Sequence, residues 1–211
     1  MKLRISAGIL FPLTLLLVSA CNIIPPAQSD TTRYYLLSAP SLPAGGGAGA
    51  PHGLSLGIRS VEVAEYLHTP SIVVREGANE LVSNEFDRWA EPLDAGISRL
   101  IRTNLVDAPN VGRVLVQPFP FEGDRDYDIT VTVLRCEGVR SGFTRNTSHF
   151  SALVDITSRG PNPKVVAHLN YIAPDSKWDG HDYAQLAAGL SEAVTGLARA
   201  IVAALPATPQ M

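Results

Sequence analysis

Hydrophobic and polar positions alternate along Leu54–Val63 (LSLGIRSVEV), where Leu54, Leu56 and Ile58 are interleaved with Ser55, Gly57 and Arg59. This period of two predicts a half-buried strand. Residues 71–75 (SIVVR) and 80–83 (ELVS) flank Glu-Gly-Ala-Asn, a hairpin signal. Residues 34–37 read as a short first strand, and residues 113–116 and 127–134 are further β-rich runs. Residues 149–158 and 164–173 enclose the turn Arg-Gly-Pro-Asn-Pro-Lys. Folding that hairpin at its middle sets Phe150, Ala152, Val154 and Ile156 opposite Ala173, Tyr171, Leu169 and Ala167, so that one face of both strands is apolar. The same register sets Asp155 opposite His168 on the other face.

The period changes twice. Residues 92–106 carry Leu93, Ile97, Leu100, Ile101 and Leu105 at helical spacing, and residues 183–205 carry Leu186, Leu190, Val194, Leu197, Ile201 and Leu205. The second helix is rich in Ala and Gly on its other faces, which allows a close neighbour. The order strands, helix, strands, helix predicts an α+β domain in which two long amphipathic helices cover an antiparallel or mixed sheet.

The N-terminus shows a different pattern. Lys2 and Arg4 precede an uncharged apolar run over residues 5–18, followed by Ser19, Ala20 and Cys21. That is the layout of a secretory signal, and Val18-Ser19-Ala20-Cys21 resembles the bacterial lipobox, in which the cysteine is acylated and becomes the first residue. Two or three acyl chains make a stable anchor where one is marginal. Asn22 after the cysteine points to the outer membrane by the enterobacterial sorting rule. The expected organisation is therefore a signal peptide over 1–20, lipidated Cys21 with a tether over 21–33, one domain over 34–206, and a tail over 207–211. The Pro-containing tether could span roughly 40 Å if fully extended. Residues 39–53, rich in Gly, Ala and Pro, read as a second flexible piece.

Without the signal, 17 basic residues lose Lys2 and Arg4 against 20 acidic ones, a net charge of −5. Such mild acidity carries no nucleic-acid footprint. With Cys21 acylated, Cys136 has no partner in the chain and reads as a small buried hydrophobe.

Catalytic chemistry leaves little trace. There is no G-x-S-x-G, no H-x-x-x-H pair among the five histidines, and no phosphate loop in the glycine run at 45–49. Asp124, Asp126 and Asp128 alternate but lack the Gly and Glu of a calcium loop, and read as a solvated strand entry. Asn146-Thr147-Ser148 reads as a turn. Asp155 with His168 is the one acid/base couple that the spacing suggests, and a cross-strand surface pair accounts for it. No metal or cofactor is expected.

Residues 84–96 (NEFDRWAEPLDAG) place Trp89 and Arg88 among carboxylates just before a helix start at Pro92. Phe86 and Trp89 are expected to pin this corner, Arg88 to pair with a neighbouring carboxylate, and Glu91 and Asp94 to face the positive helix end. The surrounding stretch, 60–105, resembles the PqiC/YmbA-like family of auxiliary lipoproteins of ABC-type and MCE-type transport systems. The resemblance rests on Tyr66, Leu67, Pro70, Ile72 and Val73, and on Arg-Trp-Ala-Glu-Pro-Leu at 88–93. An early Tyr-x-Leu (Tyr34 and Leu36, or Tyr35 and Leu37) and a late Leu-Ser-x-Ala (Leu190, Ser191, Ala193) extend it over the mature chain. The Gly-rich insertion at 44–50 and Cys136 are departures.

The resemblance implies a non-enzymatic lipoprotein of the outer membrane facing the periplasm, assisting lipid transport between membranes beside a periplasm-spanning MCE-domain protein. Arg88, Trp89 and Glu91 are the expected docking residues if exposed, and copies of the chain could ring the end of the partner. Two other readings stay open: an envelope-integrity or assembly lipoprotein with another outer-membrane partner, and a small envelope hydrolase.

Overall fold

The computed structural model describes residues 30–39, 53–120, 124–142 and 145–206. Cys21 with its lipobox, tether residues 22–29, the Gly-rich stretch 40–52 and the tail 207–211 lie outside the described residues. Residues 1–31 separate from a unit that starts at Thr32, and that unit carries everything below. Its elements in chain order are β1 (Arg33–Tyr35), β2 (Leu54–Val63), a 3-10 turn (Glu65–Leu67), β3 (Ser71–Glu76), β4 (Glu80–Trp89), α1 (Leu93–Val106), β5 (Val111–Val116), β6 (Tyr127–Ser141), β7 (Arg145–Ser158), β8 (Val165–Ile172), β9 (Ser176–Lys177) and α2 (Tyr183–Ala204). Among the described residues the class is α+β, with a mixed sheet of nine strands and two helices.

The β6–β7 hairpin is the spine. β2 pairs in parallel with the first half of β6, from Leu56 beside Tyr127 to Val63 beside Val133, and β3 pairs in parallel with the second half, at Gly138 to Arg140. The two strands thus run end to end along one edge of β6. Where they change over, β6 has a register irregularity between Val133 and Arg135, and the 3-10 turn fills the gap, its Tyr66 hydroxyl donating to Glu137. On the other edge of β6 lies β7, which carries β8 and, further towards the hairpin end, β9. β5 extends the sheet beyond β2, and β4 then β1 extend it beyond β3.

The hairpin register agrees with expectation from Ala152 opposite Tyr171 to Ile156 opposite Ala167. Phe150, Ala152, Val154 and Ile156 are all buried. Both helices pack on this apolar face, α1 against β2 and β5 and α2 against β7, β8 and β9. α1 buries Leu93, Ile97, Leu100, Ile101 and Leu105, and α2 buries Leu186, Leu190, Val194, Leu197 and Ile201. Each such side chain contributes about 1.5–3 kcal/mol by leaving water. By length and composition α2 could cross a membrane, but here it is a core helix. Gly138 brings it close: a Cβ there would stand 2.9 Å from Leu186 and 3.0 Å from Trp178.

Several elements differ from the sequence expectation. β4 continues from Ser83 to Trp89, while β6 and β7 run far past residues 134 and 149 towards their common turn. Asn146, Thr147 and Ser148 belong to β7 and not to a turn, because they complete the ladder with β6. Asp128 is buried rather than solvated, since the Arg125 guanidinium holds its carboxylate at 2.8 Å.

Candidate functional site

The last residues of β4 are fixed by the two strands on either side. The Trp89 N–H donates to the Pro70 carbonyl at 2.7 Å, and the Ala90 N–H donates to the Tyr35 carbonyl at 2.8 Å. Before them the strand is irregular: only Ile72 stands between Ser71 and Val73, whereas four residues separate their partners Arg88 and Ser83. Asn84 shapes this bulge by accepting from the Phe86 N–H through its side-chain oxygen at 3.0 Å and donating to Asp87 at 2.7 Å. The buried Asp87 also accepts from the Tyr35 hydroxyl at 2.8 Å. Burial, and then that hydrogen bond, raise the Tyr35 pKa above its ordinary value.

Beyond the bulge the chain turns through Ala90, Glu91 and Pro92 into α1. Pro92 occupies the N-cap and Asp94 lies in the first turn, where its charge suits the helix dipole. Glu91 reaches along the helix to Arg99, with Oε1 2.5 Å from the guanidinium. A Cβ on Gly96 would lie 3.0 Å from that carboxylate, so glycine leaves room for the reach. The same Arg99 donates to the Leu37 carbonyl at 2.7 Å, and the Ser38 N–H donates to Ser191 Oγ of α2 at 3.1 Å. Both helices therefore hold the peptide that follows β1.

Between this corner and the 3-10 turn lies a cleft of about 400 Å³. Val63, Leu67, Pro70, Trp89, Pro92 and Leu93 supply its apolar lining, and His68, Glu91 and Asp94 its ionisable groups. Trp89 is 7% exposed, so it forms part of the cleft wall and not a projecting anchor. Arg88 does not line the cleft. It pairs in register with Tyr34, on the strand face opposite Trp89, and its Nε donates to the Glu85 carbonyl at 2.7 Å. The structure thus brings Trp89 and Glu91 together and separates Arg88 from them. It also corrects two details: Phe86 is exposed and does not pin the corner, and the carboxylate-bound arginine is Arg99, not Arg88. The residues that spacing alone missed are Val63, Leu67, His68 and Thr69. Leu67 and Pro70 were visible within a family motif, but nothing in the sequence pointed to their facing Trp89.

The uncovered side of the sheet carries several ion pairs. Glu137 is completely buried, gripped by Arg75 at 2.6 and 3.2 Å and by the Tyr66 hydroxyl at 2.8 Å. Burial first, and then the hydrogen bond to Glu137, push the Tyr66 hydroxyl well above the usual phenol range. Cys136, on the helix side, is buried and its thiol is pushed up to about 12 by burial, reinforced by the Glu137 charge. Asp155 and His168 meet at 2.5 Å as the register required, yet both are exposed and neither lines the cleft. Among the described residues no group of three or more His, Cys, Asp or Glu is arranged to hold a metal ion.

The described residues thus form a mixed sheet with both helices on one face and an apolar cleft at a strand–helix corner. The chain belongs to the family of ABC-type transport auxiliary lipoprotein components, whose family model matches residues 35–202. Family members are auxiliary parts of a transport system and are attached to a membrane of the cell envelope as lipoproteins. In fold, the chain is similar to protein XCC0632 from Xanthomonas campestris, of the family DUF330, with a TM-score of 0.65 at 20% identity over 81% of this chain and 93% of that one. It is likewise similar to an uncharacterized protein with a TM-score of 0.55 at 20% identity, covering 82% and 97% of the two chains. No curated protein matches the sequence.

Proposed function

We propose that this chain is anchored through acylated Cys21 to the periplasmic face of the outer membrane, where it docks onto the MCE-type, periplasm-spanning component of an ABC-type lipid transport system. The domain of residues 34–206 does the docking, and the tether over 21–33 gives it reach. One observation carries the docking assignment: the two family motifs, separated by residues 74–87, line one cleft through Leu67 and Pro70 on one side and Trp89, Glu91, Pro92 and Leu93 on the other. An apolar wall with a few ionisable groups at its margin suits a projecting hydrophobic side chain of a protein partner. In this reading Trp89 and Glu91 serve docking by building the cleft, and Arg88 lies outside it. The work is binding and positioning, so the Asp155–His168 couple has no chemical role.

The test is an Ala90→Glu substitution at the exposed edge of the cleft. The substituted protein keeps its thermal midpoint, because the Ala90 backbone bond to Tyr35 is unaffected. Its affinity for the MCE component, measured with purified proteins, falls by about tenfold or more, the equivalent of about 1.4 kcal/mol. Unchanged affinity would remove the cleft from the interface.

A further inference from the structure

At the sheet edge where the domain begins, three large apolar side chains stand open to solvent: Tyr34 at 62%, Leu36 at 52% and Phe86 at 47% exposure. Tyr34 and Leu36 alternate with the inward-facing Tyr35 and Leu37 along the first strand and its continuation. Phe86 sits two residues before Arg88, the register partner of Tyr34, on the adjoining strand. The bulge built by Asn84 holds Phe86 in its outward position. No core packing explains these exposures, since the helices cover the opposite face and Leu37 and Trp89 already fill the core at this edge. Arg33, exposed, and Arg88, half-buried, flank the group.

We propose that Tyr34, Leu36 and Phe86 form a seat that rests on the phospholipid surface to which the chain is anchored, with Arg33 and Arg88 at headgroup level. This rests on the anchor reading above and adds to it a defined orientation of the domain. Two features select a bilayer as the occupant. β1 is the first element after the tether, so the seat is the part of the domain nearest to Cys21 along the chain. An aromatic hydroxyl, an aliphatic chain and a phenyl ring beside arginines is the composition that partitions at a lipid interface, where tyrosine lies at headgroup depth and arginine meets phosphate. Seated in this way the domain is held by two contacts, acyl chains and side chains, which fix its orientation on the membrane.

The experiment uses the full acylated protein in vesicles of phosphatidylethanolamine and phosphatidylglycerol, with a polarity-sensitive fluorophore on a single introduced cysteine. Cys136 is buried with a raised thiol pKa and stays unlabelled. The labelled positions are Tyr34→Cys, Phe86→Cys and, as control, Ile172→Cys, which is 63% exposed on β8 across the sheet. Vesicle flotation reports the anchor separately. The expected result is blue-shifted emission and quenching by spin-labelled lipid at positions 34 and 86, with an aqueous signal at 172. Aqueous signals at all three positions in protein that floats with the vesicles overturn the seat and leave the anchor standing. Shielding of 34 and 86 that arises only on adding the MCE component or excess copies of the chain overturns it in favour of a protein contact. Failure to float removes the anchor and the seat together.

Discussion

The β6–β7–β8 ribbon and the corner from Asn84 to Leu93 show two ways of using one sheet. In the ribbon the ladder runs regularly from Ala152 opposite Tyr171 to Ile156 opposite Ala167, and alternate residues go to the core or to solvent. At the corner the ladder breaks: four residues of β4 bulge opposite Ile72, and the chain turns into α1 under the control of Asn84, Glu91 and Arg99. Both family motifs converge on the corner, whereas the regular ribbon carries neither. Regular pairing supplies a rigid plate, and in the proposed function the irregular junction supplies the shape that the partner recognises. Bulges and strained junctions are where sheets re-aim side chains for such purposes.

Substitutions distinguish the corner from the ribbon. Trp89→Ala empties the wall between core and cleft and should cost about 3–5 kcal/mol, read from denaturant unfolding. A cost below about 1 kcal/mol would mean that Trp89 is a surface feature after all. Next comes Glu137→Ala in the spine of the sheet, which leaves the Arg75 guanidinium mostly buried without its carboxylate. Because the remaining charge is uncompensated, a loss of about 3 kcal/mol is expected by the same measurement. Glu91→Gln weakens a partly exposed pair with Arg99 and should cost only about 1 kcal/mol or less. Partner affinity should nevertheless fall, which separates docking from stability at the corner.

On the ribbon, Asp155→Ala is expected to change stability by less than about 0.5 kcal/mol and to leave partner binding intact, since both members of its pair are exposed. The smallest effect is a null. With its thiol pushed up to about 12, Cys136 should resist alkylation at pH 8 in folded protein and react only after denaturation. Labelling of the folded chain at that site would contradict the burial of β6.

How far each region could be read from sequence follows the same division. The apolar faces of β7, α1 and α2 were legible because burial against one layer imposes a period of two or 3.6, and Phe150 to Ile156, Leu93 to Leu105 and Leu186 to Ile201 obey it. The second half of β6 was only partly legible: the run around Cys136 reads as strand, but its extension to Ser141 and the burial of Glu137 do not follow from the sequence. Arg135, Glu137, Arg140 and Ser141 are polar, and only Arg75 and Tyr66, more than sixty residues earlier in the chain, make a buried glutamate tolerable there. The β4 bulge hid for a similar reason, since an Asn side chain replaces the ladder bonds locally. At the site, the sequence singled out Trp89 and Glu91 but joined Arg88 to them by proximity in the chain. Strand alternation then sends Arg88 to the other face, beside Tyr34.

In the proposed function the cleft faces a protein partner. In-cell photocrosslinking tests it most directly, with the photoreactive residue at His68 or Ala90, both exposed at the cleft, and a control at Ile172 on β8. A cleft that docks the partner gives a crosslink to an MCE-domain protein from 68 and 90 and none from 172. Crosslinks to that protein from 172 alone would contradict it and move the interface to the regular edge of the sheet.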